Sequence, residues 1–141
     1  MAIFVDTNVI VYAAAESAYR EPCLGLLRAV AEGRVQGRIS TAVLEEAWHV
    51  ELSGRAGDLT GLARRAYTLF TPLLAVTDEI VAAALDLPPG PRGANDRIHV
   101  ATCTYYSIDT IASADESFDR ARGIRRVDPL DERALARLLG G

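Results

Sequence analysis

Residues 2–8, AIFVDTN, decide the reading of the fold. Ala2, Ile3, Phe4 and Val5 form an apolar run without polar alternation, as a strand covered on both faces of a parallel sheet requires, and the run stops at Asp6. Residues 7–15 then read as helix. The same order returns near the other end, where residues 110–113 form an apolar strand pattern and Asp115 stands just beyond it. Working outward, the helical spacing of Leu24, Leu27, Val30 and Ala31 predicts a helix over residues 22–32, opened by Pro22 and closed by Gly33. A short strand follows around Arg38 and Ile39. Ser40 or Thr41 caps a helix to about Leu52, residues 59–70 form another, and residues 73–76 read as a short strand. Further helices are expected from Thr77 to about Leu87 and from Asn95 to about Tyr106. A brief helix at residues 116–121, an edge strand at 125–127 and a terminal helix at 131–139 complete the chain. Strands alternating with helices give an α/β fold with a mainly parallel central sheet.

The 141 residues carry 19 Asp plus Glu against 15 basic residues, a net charge of −4, and half of them are apolar. This is the composition of one soluble globular domain over residues 1–141. A chain of this length buries roughly two thirds of its unfolded surface, enough for a core without disulfides or zinc. Every basic residue is Arg. The absence of Lys excludes the P-loop, Schiff-base chemistry, the Lys-assisted phosphoaspartate enzymes and the protein kinases. The acidic balance argues against a strongly basic nucleic-acid module, while leaving room for a local Arg patch beside an acidic site. Cys23 and Cys103 lie far apart in apolar stretches and read as buried free thiols of a reducing compartment. The N-terminus lacks the basic and long apolar regions of a signal peptide, and no apolar run approaches the ~18 residues of a membrane span. The reading is a cytoplasmic protein with no membrane association. LPPGPRG, residues 87–93, is a loop rather than a linker.

In open parallel sheets ligands bind beyond the carboxyl ends of the strands, and Asp6 and Asp115 both fall there. Either alone would serve as a helix cap. Asp96 opens the helix from Asn95, where it is either a partner of the helix dipole, worth about 0.5 kcal/mol, or a metal ligand on a rigid element. His99, one turn on, reads as a hydrogen-bonded bystander, which leaves histidine-rich metal chemistry without support. A fourth acid lies in VLEEAWHVEL, residues 43–52, where Glu45, Glu46 and Glu51 compete. The helical wheel leaves the choice open: the apolar arc runs from Val50 through Val43, Ala47 and Leu44 to Trp48 and Leu52, flanked by Glu46 and Glu45, with Glu51 inside it. Two carboxylates ~4 Å apart repel by roughly 4 kcal/mol at an effective dielectric of 20, so a cluster of them needs protons or cations. Oxygen-only ligands select Mg²⁺ or Mn²⁺, and such ions activate water and stabilise the transition state of phosphodiester hydrolysis.

Four segments in order, VDTNVI, ISTAVLEE, ANDRIHVATC and IASADESFD followed by RGIRRVDP, resemble the PIN-domain ribonucleases, especially the VapC-type toxins of bacterial toxin-antitoxin pairs. The likeness spans nearly the whole chain. It implies a three-layer α/β/α PIN-like domain whose acids gather around Mg²⁺ or Mn²⁺ and cut single-stranded RNA, such as tRNA or rRNA loops. Carried over residue by residue, it implies Asp6, Glu46, Asp96 and Asp115 as the catalytic acids. Glu46 is selected because it stands six residues after the Ser of IST, and Asp119 is a rival to Asp115 one turn later. Asp6, Asp96 and Asp115 are the implied metal ligands, with Glu46 acting through water. Asn8 holds Asp6 or contacts substrate. Arg92, Arg97, Arg120, Arg122, Arg125 and Arg126 are candidate phosphate contacts, Arg97 and Arg120 foremost, because Arg grips phosphate bidentately. An antitoxin partner and a homodimer are implied as well, and the apolar positions over residues 22–32 and 59–70 are compatible with both.

A haloacid-dehalogenase-like phosphatase also begins with a strand and an Asp, but it needs a second Asp where Asn8 stands and a Lys that this chain lacks. A response-regulator receiver fails on the same Lys. A PIN nuclease outside toxin-antitoxin systems and a catalytically inactive PIN-like RNA-binding module are the alternatives that remain. The RNA target has no linear code in the chain, because RNA is read through shape and splayed bases.

Overall fold

The computed structural model describes residues 1–88, 91 and 93–140; Arg92, one of the candidate phosphate contacts, lies outside them. The elements run β1 (Ala2–Val5), α1 (Thr7–Ala14), α2 (Arg20–Ala31), β2 (Gln36–Arg38), α3 (Thr41–Ser53), α4 (Leu62–Phe70), α5 (Asp78–Leu85) and α6 (Ala94–Tyr105). They continue with β3 (Thr110–Ala112), a 3-10 helix (Glu116–Arg120), β4 (Arg125–Val127) and α7 (Glu132–Leu138). The four strands form one sheet in the order β2-β1-β3-β4, and every pairing is parallel. The central strands are the apolar ones: Ile3, Phe4, Val5, Ile111 and Ala112 are all buried, whereas β2 and β4 form the partly exposed edges. Helices flank this sheet in the α/β/α arrangement, with α1 against α2 and α3, α3 against α4, and α5 against α6.

The apolar core gathers around Phe4, Leu26, Ile39, Ile111 and Phe118, each essentially inaccessible to solvent. Burial of a side chain of this size contributes ~1.5–3 kcal/mol. At Phe118 that contribution has a local use. A single turn of 3-10 helix is weakly held by its own hydrogen bonds, and the buried ring pins the segment that carries Asp115. A smaller cluster of Ile80, Ala84 and Ala101 joins α5 to α6.

Three expectations change in detail. Pro22 stands inside the first turn of α2, which begins at Arg20; the missing N–H is harmless there because first-turn donors have no partner within the helix. α4 starts at Leu62, after Gly61 in the left-handed region at φ 88°. The strand expected at residues 73–76 reduces to one parallel bridge, Ser40 to Leu74. Pro72 has no N–H to give, and the groups beyond Leu74 are taken elsewhere: Val76 N donates to Thr41 Oγ1 (3.2 Å), and Tyr106 Oη donates to Ala75 O (2.7 Å).

Candidate active site

Asp6 ends β1 and caps α1, so one residue turns the strand into the helix. Its backbone N–H donates to Ala112 O across the sheet (3.0 Å), and its Oδ1 accepts from Thr7 N (2.8 Å). Oδ2 accepts from Ser113 Oγ (2.7 Å) and from Asn8 Nδ2 (3.1 Å). Three donors on a carboxylate that is only 5% exposed hold it in one orientation. Ser113 Oγ in turn accepts from Asn8 Nδ2 (3.1 Å) and Asp115 N (3.0 Å), while Asn8 Oδ1 accepts from Ala114 N (3.2 Å). The carboxyl ends of β1 and β3 are thereby tied to each other around Asp6.

Glu46 reaches the same place from α3. Its Oε1 accepts from Thr7 Oγ1 (2.7 Å) and lies 2.7 Å from His99 Nε2. His99 is fully buried on α6, 3.8 Å from Asp6 Oδ1, with its ring 5.4 Å from that of Phe4. Asp6, Glu46 and His99 each offer a ligand atom within 4.8 Å of the others. Burial alone would lower the His99 pKa, but the hydrogen bond to Glu46 and the charges of Asp6 and Glu46 outweigh it and favour the imidazolium. For Glu46, burial pulls upward and the hydrogen bonds from His99 and Thr7 pull harder, so its carboxyl sits below the ordinary range. Asp6 goes the other way, pushed up by burial against the pull of His99 and Ser113.

Asp96 stands in the first turn of α6, and Asp115 caps the 3-10 helix through Oδ1, which accepts from Ser117 N (2.9 Å). Both lie outside the tight set of three, yet their charges meet at the site. Burial first, then the charges of Asp6 and Asp115, push the Asp96 pKa up to about 6. Four carboxylates and His99 thus converge at the carboxyl ends of the central strands β1 and β3.

A family profile described as PIN domain matches residues 3–124. The chain belongs to the PIN-domain family. Ribonuclease VapC7 of Mycobacterium tuberculosis is 28% identical over 144 residues, covering 98% of each chain. The crystal structure of FitAcB from Neisseria gonorrhoeae matches with a TM-score of 0.66 at 19% identity, over 92% of this chain and 99% of that one. At that identity the likeness concerns the fold alone.

In this PIN domain the rival acids are occupied elsewhere. Glu51 accepts from Gly61 N and Ala63 N, both at 2.9 Å, and so caps α4. Glu45 is exposed on the outer side of α3. Asp119 is gripped by Arg126, whose Nε and Nη2 donate to its two carboxylate oxygens at 2.8 and 3.2 Å. The same Arg126 lies 3.3 Å from Asp128 Oδ2 and donates to Ser113 O (3.1 Å), so this candidate phosphate contact braces the strand end behind Asp6 instead. Asn8 has its amide engaged on Asp6, Ser113 and Ala114, which gives it the holding role of the two expected for it. Arg97 donates to Leu87 O (3.2 Å), and Arg120 is exposed with no carboxylate partner among the described residues.

His99, expected only as a hydrogen-bonded bystander, joins the cluster, and Ser113 holds Asp6 although the sequence assigns it no role. The spacing of His99, one turn after Asp96, placed it on the right helix, but nothing in the sequence marks its bond to a Glu 53 positions away. Ser113 sits in the strand-end pattern beside Asp115, and its bond to Asp6 joins residues 107 apart.

Proposed function

We propose that this PIN domain is a Mg²⁺- or Mn²⁺-dependent endoribonuclease that cuts single-stranded RNA in the cytoplasm, as the toxin of a VapBC-type toxin-antitoxin pair. The observation that carries the reading is the convergence of Asp6, Glu46, Asp96 and Asp115, with Asp96 pushed up to about 6 by burial and its acidic neighbours. Anions held this close call for a cation, and an oxygen-rich donor set fits a hard divalent one. Asp6, Asp96 and Asp115 hold the ion, and Glu46 acts through water. When bound, the ion supplies Lewis-acid stabilisation of the phosphodiester and a more acidic water. The chain's own residues do the rest: Ser113 and Asn8 aim Asp6, Thr7 and His99 aim Glu46, and Arg97 and Arg120 contact substrate phosphates. The name of Ribonuclease VapC7, related over nearly the whole length, supports the activity.

An antitoxin segment fits the apolar groove of about 300 Å³ between α1, α2 and α4, lined by Ile10, Leu24, Leu27, Ala66 and Phe70. A second copy of the chain fits the face of α3 and α4 where Trp48 (55%), Leu52 (74%) and Tyr67 (44%) are exposed. The purified chain, incubated with a panel of single-stranded RNAs, is expected to cleave in Mn²⁺ or Mg²⁺ and to stop in EDTA. RNA binding without cleavage would favour the inactive module, and cleavage indifferent to EDTA would overturn the metal assignment.

The Asp96 carboxyl also sets a pH dependence. Its folded pKa, about 6, lies above the ordinary Asp value of 3.8, so the metal-free fold holds this proton more tightly than the unfolded chain does. The associated stability is present at low pH and is lost as pH rises through about 6. Metal affinity runs in the opposite sense, because the ion competes with the proton. Isothermal titration is expected to show Mn²⁺ affinity level above pH 7 and about tenfold weaker at pH 5. A flat profile across this range would separate Asp96 from the ion.

A further inference from the structure

Beyond the carboxylates, α6 and the 3-10 helix continue into a second feature. A cavity of about 360 Å³ lies between them, with Leu87, Val100 and Ala121 on its apolar side and Arg97, Arg120 and Arg122 around it. This is at the small end of the range of about 300–1,000 Å³ usual for ligand pockets, and it suits one flat ring with a charged group attached. Arg120 and Arg122 are exposed and pair with no carboxylate among the described residues, unlike Arg126 nearby, which is held by Asp119 and Asp128. The cavity shares two elements with the acids, α6 and the 3-10 helix. Asp96 and Val100 are one turn apart on α6, about 40° around the axis, and Asp115 caps the 3-10 helix that ends in Arg120.

We infer that this cavity is a nucleotide subsite. It takes one unpaired nucleotide of the RNA next to the cleaved phosphodiester, with the base against Leu87, Val100 and Ala121 and a phosphate between Arg120 and Arg122. The inference rests on the ribonuclease reading above. Apolar wall and unpaired guanidiniums together match a nucleotide and neither part alone does: a purely apolar ligand leaves three cations unanswered, and a bare phosphate leaves the wall unused. The splayed base also explains a restriction to single strands, since a paired base is not free to enter.

The test uses the Asp96→Asn chain, so that RNA is bound but not cut, with short fluorescent single-stranded RNAs carrying 4-thiouridine or 6-thioguanosine at successive positions. Irradiation is expected to crosslink one position to the segment around Leu87, Val100 or Ala121. The Arg120→Ala, Arg122→Ala double variant is expected to bind about tenfold more weakly, with the slope of log affinity against log salt reduced by about 0.7, the share of one phosphate on a single strand. Arg34→Ala, which removes a guanidinium paired with Glu32, is the control and leaves both unchanged. Crosslinks confined to other surfaces, or an unchanged salt slope, would overturn the subsite while leaving the ribonuclease reading in place. Failure of the Asp96→Asn chain to bind any of these RNAs would also overturn the subsite, and absence of RNA cleavage by the parent chain in Mn²⁺ would remove the ribonuclease reading with it.

Discussion

Asp96→Asn is expected to lower RNA cleavage by about a thousandfold or more and, in EDTA, to raise the melting temperature of the chain by a few degrees. On the proposed metal-dependent mechanism, the loss follows from removing a ligand of an ion that would supply several kcal/mol of transition-state stabilisation, at tenfold in rate per 1.4 kcal/mol. The gain in stability follows from the same carboxylate's surroundings. Burial and the charges of Asp6, Asp115 and Glu46 all oppose its ionisation, and a neutral amide escapes them. The sequence offers no reason to expect Asp6→Asn to behave otherwise, but the structure separates the two. Asp6 accepts from Thr7 N, Asn8 Nδ2 and Ser113 Oγ, so an amide there turns an N–H₂ toward existing donors and destabilises the fold. Thermal melts in EDTA and single-turnover cleavage check both halves. An Asp96→Asn chain that melts lower than the parent would contradict a cluster under like-charge strain.

Expression of the chain alone is expected to arrest bacterial growth, expression of Asp96→Asn to leave growth unaffected, and co-expression of the adjacent antitoxin gene to restore it through a complex that copurifies. An active ribonuclease needs a restraint. The apolar groove between α1, α2 and α4 offers a surface for a short amphipathic segment, and an Arg on that segment that reached the acids would pair with them and displace metal or RNA. Filling the groove with Ala66→Trp is expected to abolish copurification while toxicity persists, provided the variant folds by circular dichroism. Normal growth at verified expression of folded protein, with no copurifying partner, would point to a PIN nuclease outside toxin-antitoxin systems.

The strand-to-acid junctions were legible in the sequence because burial on both faces erases polar alternation. AIFV and TIAS are read as central strands for that reason, and the acids just beyond them stand at the carboxyl ends where they were expected. The choice of Glu46 came from family likeness, since the helical wheel could not separate three glutamates on one helix. What separates them in the structure is tertiary: Glu46 meets Thr7 and His99, Glu51 meets the start of α4, and Glu45 meets solvent. Trp48 and Leu52 belong to that helix's apolar arc yet stay exposed, and only Val43 and Ala47 are fully covered by packing. Periodicity reports which side of an element is apolar, and it carries no information about which distant element arrives to cover it. His99, Ser113 and the Arg126 brace depend on such arrivals and were hidden for the same reason.

The most direct test of the site is calorimetric titration of Mn²⁺ at pH 7.5 into the parent chain and into Asp96→Asn. Saturable binding to the parent, with at least a tenfold loss in the variant, is the expected result. Equal binding by the two chains, or no binding by a folded parent, would contradict a divalent-metal centre built on Asp6, Asp96 and Asp115.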